Sequence, residues 1–331
     1  MNITFFCPIN LSSQQQSLSN LLAVGKDHML NLTMSELICQ RFDVQATPDY
    51  PLAALSRQAD THTQVATHTT AAYYLQADPV HLVLQRDAFS LSDPATLTIS
   101  NVELTALCDA LNQHFMPDGL TFELSNQKLQ LRLENTPKIS TTLPEKVVGR
   151  NVYAYLPQGE NASYWNKIIN EIQMLLHEHS INQQREMIGL PAINSIWLSG
   201  GGALPMVAST AFDKVYTDVS YVRGLAQLAN MPCHDLPKNK KIEFNQHSNL
   251  LIIAKSAAEL EVWANALYQL VRQGATLQLN LAFQDTVLVS DIKPLDSYKF
   301  WLKILHKNKS PSSYFQDFYT KMQSKTVGAK F

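Results

Sequence analysis

Four arginines, Arg86, Arg150, Arg185 and Arg223, are the side chains in this sequence best equipped to hold an anion. A guanidinium fork grips phosphate or carboxylate oxygens two at a time, so four converging on one cleft would make a pocket for a phosphorylated or carboxylate metabolite. Each also has a plainer use. Arg86 precedes Asp87 and Arg185 precedes Glu186, so a neighbouring carboxylate competes for the charge. Gly200-Gly201-Gly202 follows the apolar Ile196-Trp197-Leu198 and reads as a strand running into a glycine turn. Its amides could cradle an anion, although no lysine follows as in a P-loop, and close backbone packing is the competing use. Ser35, ahead of Glu36 and a short helical run, could be a nucleophile if a base or metal stood beside it. A serine at that place is otherwise expected as the helix N-cap. His177 and His179 lie two apart in a helical pattern, roughly 200° apart around the axis, so they cannot chelate one ion together. His179 reads as a cap on a helix C-terminus.

The elements that must position these residues are laid out over 331 residues, enough for two domains or one large α/β unit. Hydrophobic residues make up 45% and charged residues 16%, the balance of an ordinary globular chain with a buried core. The net charge of −2 gives no general attraction to nucleic acid or to an anionic membrane. The opening MNITFFCPINLSS lacks the basic start and long apolar core of a secretory signal. No run reaches the roughly 18 to 20 apolar residues of a membrane span. Cys7, Cys39, Cys108 and Cys233 are scattered singly, which suits a reducing compartment better than a disulfide frame or a zinc site. A cytoplasmic protein is expected.

Asn2 to Phe6 reads as a strand, Ser17 to Val24 as a short helix stopped by Gly25, and Ser35 to Phe42 as another. Residues 56–70 have no apolar period and read as a loop. From Ala71, two apolar runs broken at Asp78-Pro79 suggest strands around a turn. Ser100 to Phe115 has helical periodicity, and LTFEL and KLQLRL alternate about Ser125-Asn126 as a hairpin. Asn161 to His179 is a long amphipathic helix with Trp165, Ile168, Ile172 and Leu175 or Leu176 on its apolar side. From Ile193 the texture changes to buried strands (NSIWL, KVYTDV, NLLIIAK, LQLNLAF, TVLVSD) alternating with helices, which predicts a mostly parallel sheet covered on both faces. The Lys/Ser-rich stretch 303–331 reads as a basic tail and a solvated end rather than a nucleic-acid arm.

The segment His179-Ser180-Ile181-Asn182, then Arg185, Gly189, Ile193-Asn194, an apolar strand and Ser199-Gly200-Gly201-Gly202 resembles the archaeal-type, cofactor-independent phosphoglycerate mutases. Spacing agrees over about 25 residues, with Ser199 where that family has arginine. Similarity also extends to Asp78-Pro79-Val80-His81 through Arg86-Asp87, to Tyr221-Val222-Arg223-Gly224, to NLLIIAK with Lys255, and to TVLVSD with Asp291. Most of the chain also resembles a proteobacterial group of RpfE-type regulatory proteins, often described as phosphoglycerate mutases. The resemblance implies an α/β fold: a reduced alkaline-phosphatase-like, mostly parallel sheet from residues 1–70 and 194–302, with residues 71–193 inserted as a smaller α+β domain.

It also implies two divalent metals and a serine nucleophile, and here the residues part from the pattern. The family's Asp-Gly after the first strand is replaced by Cys7-Pro8-Ile9-Asn10, the strand NLLIIAK lacks the family's histidine, and Ile292 stands where histidine follows Asp291. The expectation is therefore a non-catalytic, mutase-like protein without metal or other cofactor, acting as a regulatory or binding module for a phosphorylated or carboxylate metabolite or for a protein partner. The alternative is a metal-dependent mutase or phosphatase using Ser35 and Asp291, which would need manganese or magnesium.

Overall fold

The computed structural model describes residues 1–9, 21–22, 24–60, 72–86, 88–207, 210–237 and 248–298. Its first elements are β1 (Asn2–Pro8), β2 (Lys26–Leu30), α1 (Met34–Arg41), α2 (Leu52–Gln58), β3 (Tyr73–Val80), β4 (Leu82–Gln85), β5 (Ala88–Leu91) and α3 (Asn101–Phe115). There follow β6 (Thr121–Ser125), β7 (Lys128–Leu133), α4 (Ala162–His177), α5 (Ser180–Met187), β8 (Ser195–Gly202), β9 (Lys214–Thr217) and α6 (Ser220–Leu228). The last are β10 (Cys233–His234), β11 (Asn249–Ile253), α7 (Ala257–Arg272), β12 (Thr276–Phe283) and β13 (Thr286–Ile292). They form two units, one drawn from Met1–Ile38, Ser209–Val219 and Ala229–Phe331, the other from Cys39–Ala208 and Ser220–Leu228. Among the described residues no helix is long and apolar enough to cross a membrane. The stretch 303–331 and most of Ser17 to Val24 lie outside the described residues.

The first unit is built on a seven-stranded sheet in the order β10-β9-β11-β1-β12-β13-β2. The uninterrupted apolar runs of β1, β11 and β12 are central because both their faces are covered, which is what such runs require. Strands β10, β9, β11, β1 and β12 are parallel. A crossover carries the chain from β11 through α7 to β12 on the far side of β1, and Trp263, Ala264, Leu267 and Val271 of α7 are buried against Ile3, Phe5, Ile252 and Leu279. Ser256 caps this helix by accepting from the Glu259 amide, and Gly274, at φ 103°, ends the turn beyond it. The mostly parallel α/β sheet expected from the sequence is present, with one departure. TVLVSD is antiparallel to β12, because only Gln284 and Asp285 separate the two strands and a parallel return needs room for a crossover.

The second unit is an antiparallel sheet, β6-β7-β3-β8, with α3 and α4 on one face. Leu107, Leu111 and Phe115 of α3 and Trp165, Ile168, Ile172 and Leu176 of α4 meet Leu75, Phe122, Leu131 and Leu198 there. The β6–β7 hairpin turns at Asn126 and Gln127, both at positive φ, as a two-residue connection requires. On the other face Gln130 donates to the Ala53 carbonyl (3.1 Å) and Asn126 to the Ser56 carbonyl (2.8 Å), so α2 lies across the sheet. Helix α6 packs against α2, and Gly224 makes this possible: a Cβ there would lie 1.9 Å from the Leu55 carbonyl oxygen.

Several local expectations change. Residues 56–58, read as loop, close helix α2, whose buried stretch Leu52–Ser56 supplies the apolar contact that the later residues lack. Asp78-Pro79 is not a turn. It lies within β3, and β7 pairs with that strand only as far as Gln76, leaving one side of Pro79 without a ladder partner. The long helix ends at His177, and His179 is the N-cap of α5 rather than a C-terminal cap, its Nδ1 accepting from the Ile181 amide at 3.2 Å. Ser35 is not the cap of α1. Thr33 is, in a reciprocal box with Glu36. NSIWLSGGG pairs with β3 in the second unit, so the units divide near residues 38 and 208, whereas the sequence suggested 70 and 193. Strand partners decide this, and sequence texture does not report them.

Candidate functional site

The residues that carried the family resemblance converge on one stretch, 179–194, where they act on backbone. The Asn182 carboxamide donates to the Leu176 and Ile193 carbonyls (2.8 Å each) and accepts from the Ile193 amide (2.7 Å). Asn194 does the same for Leu82, accepting from its amide at 2.7 Å and donating to its carbonyl at 2.8 Å. Both amide side chains thus stand in for a strand neighbour where no strand passes. Gly189, at φ 71°, closes α5, with the Leu190 amide reaching back to the Arg185 carbonyl.

Arg185 is 1% exposed, and its donors are directed inward: to the Pro191 carbonyl (2.7 Å), the Thr98 carbonyl (2.9 Å) and Glu103 Oε1 (2.7 Å). Glu103 also completes the capping box of α3 with Ser100. Desolvation pushes the Glu103 carboxyl upward, but the hydrogen bonds from Ser100 and then Arg185 outweigh it and hold it below its ordinary range. The other arginines sit elsewhere. Arg86 is exposed at the tip of the β4–β5 hairpin, Arg150 is half-buried with Nη1 3.5 Å from the Tyr155 hydroxyl, and Arg223 is half-buried on α6.

The glycine run does meet an anion, and it is the protein's own. All three glycines lie within β8 rather than in a turn. The Gly201 amide donates to the Asp49 carboxylate, which also accepts from the Thr141 amide and hydroxyl. Burial raises the Asp49 pKa, and these bonds only partly offset it. The run also admits close neighbours: a Cβ on Gly201 would lie 2.5 Å from the Tyr73 hydroxyl, and one on Gly202 2.5 Å from Pro51. Burial, with Asp49 nearby, pushes the Tyr73 phenol up to about 12. Neither Asp49 nor Tyr73 carries a motif in the sequence.

In the first unit, metal chemistry of the kind the resemblance implies would need carboxylates gathered at the carboxyl ends of the parallel strands, the usual ligand edge of such sheets. At the end of β1 stands Cys7, fully buried, its thiol 3.2 Å from the Ser256 carbonyl and kept protonated by desolvation and by Glu259. Asp291 is opposite Gln278, whose amide it binds at 2.9 Å, while Pro8 is opposite Ala282. Four residues of strand therefore separate Asp291 from the Cys7-Pro8 end, about 13 Å along the sheet. Ile292, beside it, is fully buried. Ser35 is 6% exposed in α1. These residues do not fit a two-metal site, and among the described residues no three His, Cys, Asp or Glu side chains are grouped to hold an ion.

One cavity of about 180 Å³ lies wholly within the second unit, between α4, β8, the β4–β5 hairpin and residues 152–157. Leu82, Phe89, Ile169 and Trp197 line it, with Asn166, Asn170, Gln173 and Ser195 along one wall. None of the four arginines reaches it. Nothing in the sequence announces it, because the walls come from segments up to 116 residues apart whose types are ordinary core residues.

The architecture is thus an α/β protein in which a mostly parallel sheet accompanies an antiparallel α+β unit. Residues 61–182 match the family model of 2,3-bisphosphoglycerate-independent phosphoglycerate mutase. The chain is 30% identical over 103 residues to a 2,3-bisphosphoglycerate-independent phosphoglycerate mutase of Methanothrix thermoacetophila, covering 29% of this chain and 26% of that protein. It is 27% identical over 159 residues to a probable enzyme of the same description from Geobacter sulfurreducens, covering 46% and 40%. The chain thus spans between about a quarter and two fifths of the length of these relatives. Among solved structures, the cofactor-independent phosphoglycerate mutase of Thermoplasma acidophilum aligns over 88% of this chain and 89% of that one, at 15% identity and a TM-score of 0.38. The similarity to phosphoglycerate mutases is thus carried by part of the chain, and the segment that matches the family model lies in the second unit.

Proposed function

We propose that this protein is a non-catalytic relative of the phosphoglycerate mutases, with a regulatory or metabolite-binding role. Its ligand in this reading is a phosphorylated or carboxylate metabolite or a protein partner, with no role for nucleic acid or membrane, and it works without a metal cofactor. The observation that carries the reading is the position of Asp291. It is bound to Gln278 at one end of the sheet, while a buried thiol and a proline occupy the carboxyl end of β1. A carboxylate so placed cannot share an ion with groups at the other end, because metal–oxygen bonds are only about 2 Å long. We place the protein in the cytoplasm, which four cysteines outside any disulfide, three of them buried, support.

The test is mutase and phosphatase turnover of the full chain with manganese or magnesium added, native beside Ser35→Ala, together with thermal denaturation in 3-phosphoglycerate. The expected result is no turnover above background and a saturable rise in melting temperature with the ligand. Metal-dependent turnover that disappears in Ser35→Ala would establish the enzyme alternative instead. With neither turnover nor a thermal shift, the metabolite role is lost and a protein partner is left.

A further inference from the structure

The cavity of the second unit has no part in the function proposed above, yet it has the features of a binding site rather than of a packing defect. Its volume, about 180 Å³, is close to that of a cavity of about 150 Å³ that accepts benzene. Phe89, Leu156 and Trp197 give it apolar walls, and no charged side chain lines it. One wall is polar. Asn166, Asn170 and Gln173 follow one another along α4 at steps of four and three, which puts them on a single helix face. Gln173 donates to the Ser195 hydroxyl at 3.3 Å, leaving that hydroxyl's own hydrogen available to donate. The Asn166 carboxamide oxygen is buried and has no hydrogen-bond partner. Buried acceptors in folded proteins are nearly always satisfied, so this one marks a place for a donor from outside the chain. Exposed Tyr153 and Asn170 stand at the rim.

From this arrangement we infer that the cavity is a site for a small uncharged molecule with a single ring and one amide or hydroxyl group. The ring fills the apolar space. The polar group donates to Asn166 and accepts from Ser195. A charged head is excluded, because a carboxylate or ammonium would be desolvated there with no counter-charge.

The experiment uses the full chain with benzamide, benzoate and toluene as probes, read by calorimetry and by thermal denaturation. Benzamide is expected to bind saturably and raise the melting temperature by roughly 2–4 °C at high occupancy. Toluene should bind more weakly, and benzoate not at all. Leu156→Trp, which fills the cavity from its wall, should abolish binding. Asn166→Leu should weaken benzamide about tenfold while leaving toluene unchanged, since only benzamide loses a hydrogen bond. Absence of binding by benzamide would show a void or a water-filled space and overturn the proposal. So would benzoate binding as tightly as benzamide, or benzamide binding that survives Leu156→Trp. Should Leu156→Trp fail to fold by circular dichroism, magnetisation transfer between benzamide and the Trp197 indole in the native protein decides. Transfer supports the site, and its absence rejects it.

Discussion

The two units treat their polar residues in opposite ways. In the second, Asn182, Arg185, Asn194 and Glu103 are buried or half-buried and most of their donors and acceptors are spent on backbone or on another of the set, with Arg185 Nη2 buried and unpartnered. In the first, the positions where the resemblance calls for metal ligands hold a buried thiol, a proline, a buried isoleucine, and an aspartate bonded to the adjacent strand. The resemblance is strong where the residues hold a loop in place and weak where they would hold an ion. A scaffold residue tied to several partners is costly to replace, whereas a catalytic ligand is needed only while its ion is used.

That contrast predicts a gradient of effects, measured as urea-unfolding free energies. Arg185→Met should be the most damaging, at about 3–5 kcal/mol, since it strands two carbonyls and a carboxylate. If it were nearly neutral, Arg185 would not be the keystone of the second unit. Asn182→Ala should follow, at about 2–3 kcal/mol, from three lost hydrogen bonds at a buried site. Glu103→Gln should be milder, and its signature is in the pH dependence. The folded-state pKa of Glu103 lies below its unfolded value, so its contribution is complete above the unfolded value and is lost as pH falls through the folded one. The native protein should therefore lose stability on acidification more steeply than Glu103→Gln. A parallel pair of acid limbs would count against the Arg185–Glu103 link.

At the small end, Asp291→Asn keeps a group that can face Gln278 and should change stability by no more than about 1 kcal/mol. It should also leave the unfolding transition unaltered by added manganese. A manganese-dependent rise in the native protein that this substitution removes would break the comparison between the units. Arg86→Ala, at an exposed hairpin tip, should stay within about 0.5 kcal/mol. A loss of 3-phosphoglycerate binding in that variant would instead make Arg86 a ligand-holding residue.

Much was legible in the sequence because it depends on local periodicity. The hairpin, read about Ser125-Asn126 and turning one residue later at Asn126-Gln127, the apolar face of α4 and the apolar runs of β1, β11 and β12 follow from residue spacing within single elements. That Cys7-Pro8, which offers no carboxylate, follows the first strand could likewise be read directly. Tertiary structure decided the rest. That the glycine run embraces Asp49, that Arg185 turns inward, and that Asp291 is at the wrong end of its sheet all depend on which strands pair and in which direction. The cavity depends on the same thing, since no one segment encloses it. The sequence by itself determined the kinds of element and the residue types at the end of β1. Only the fold determined where each charge points, because a hydrogen bond needs its partner within about 3 Å and chain distance says nothing about that.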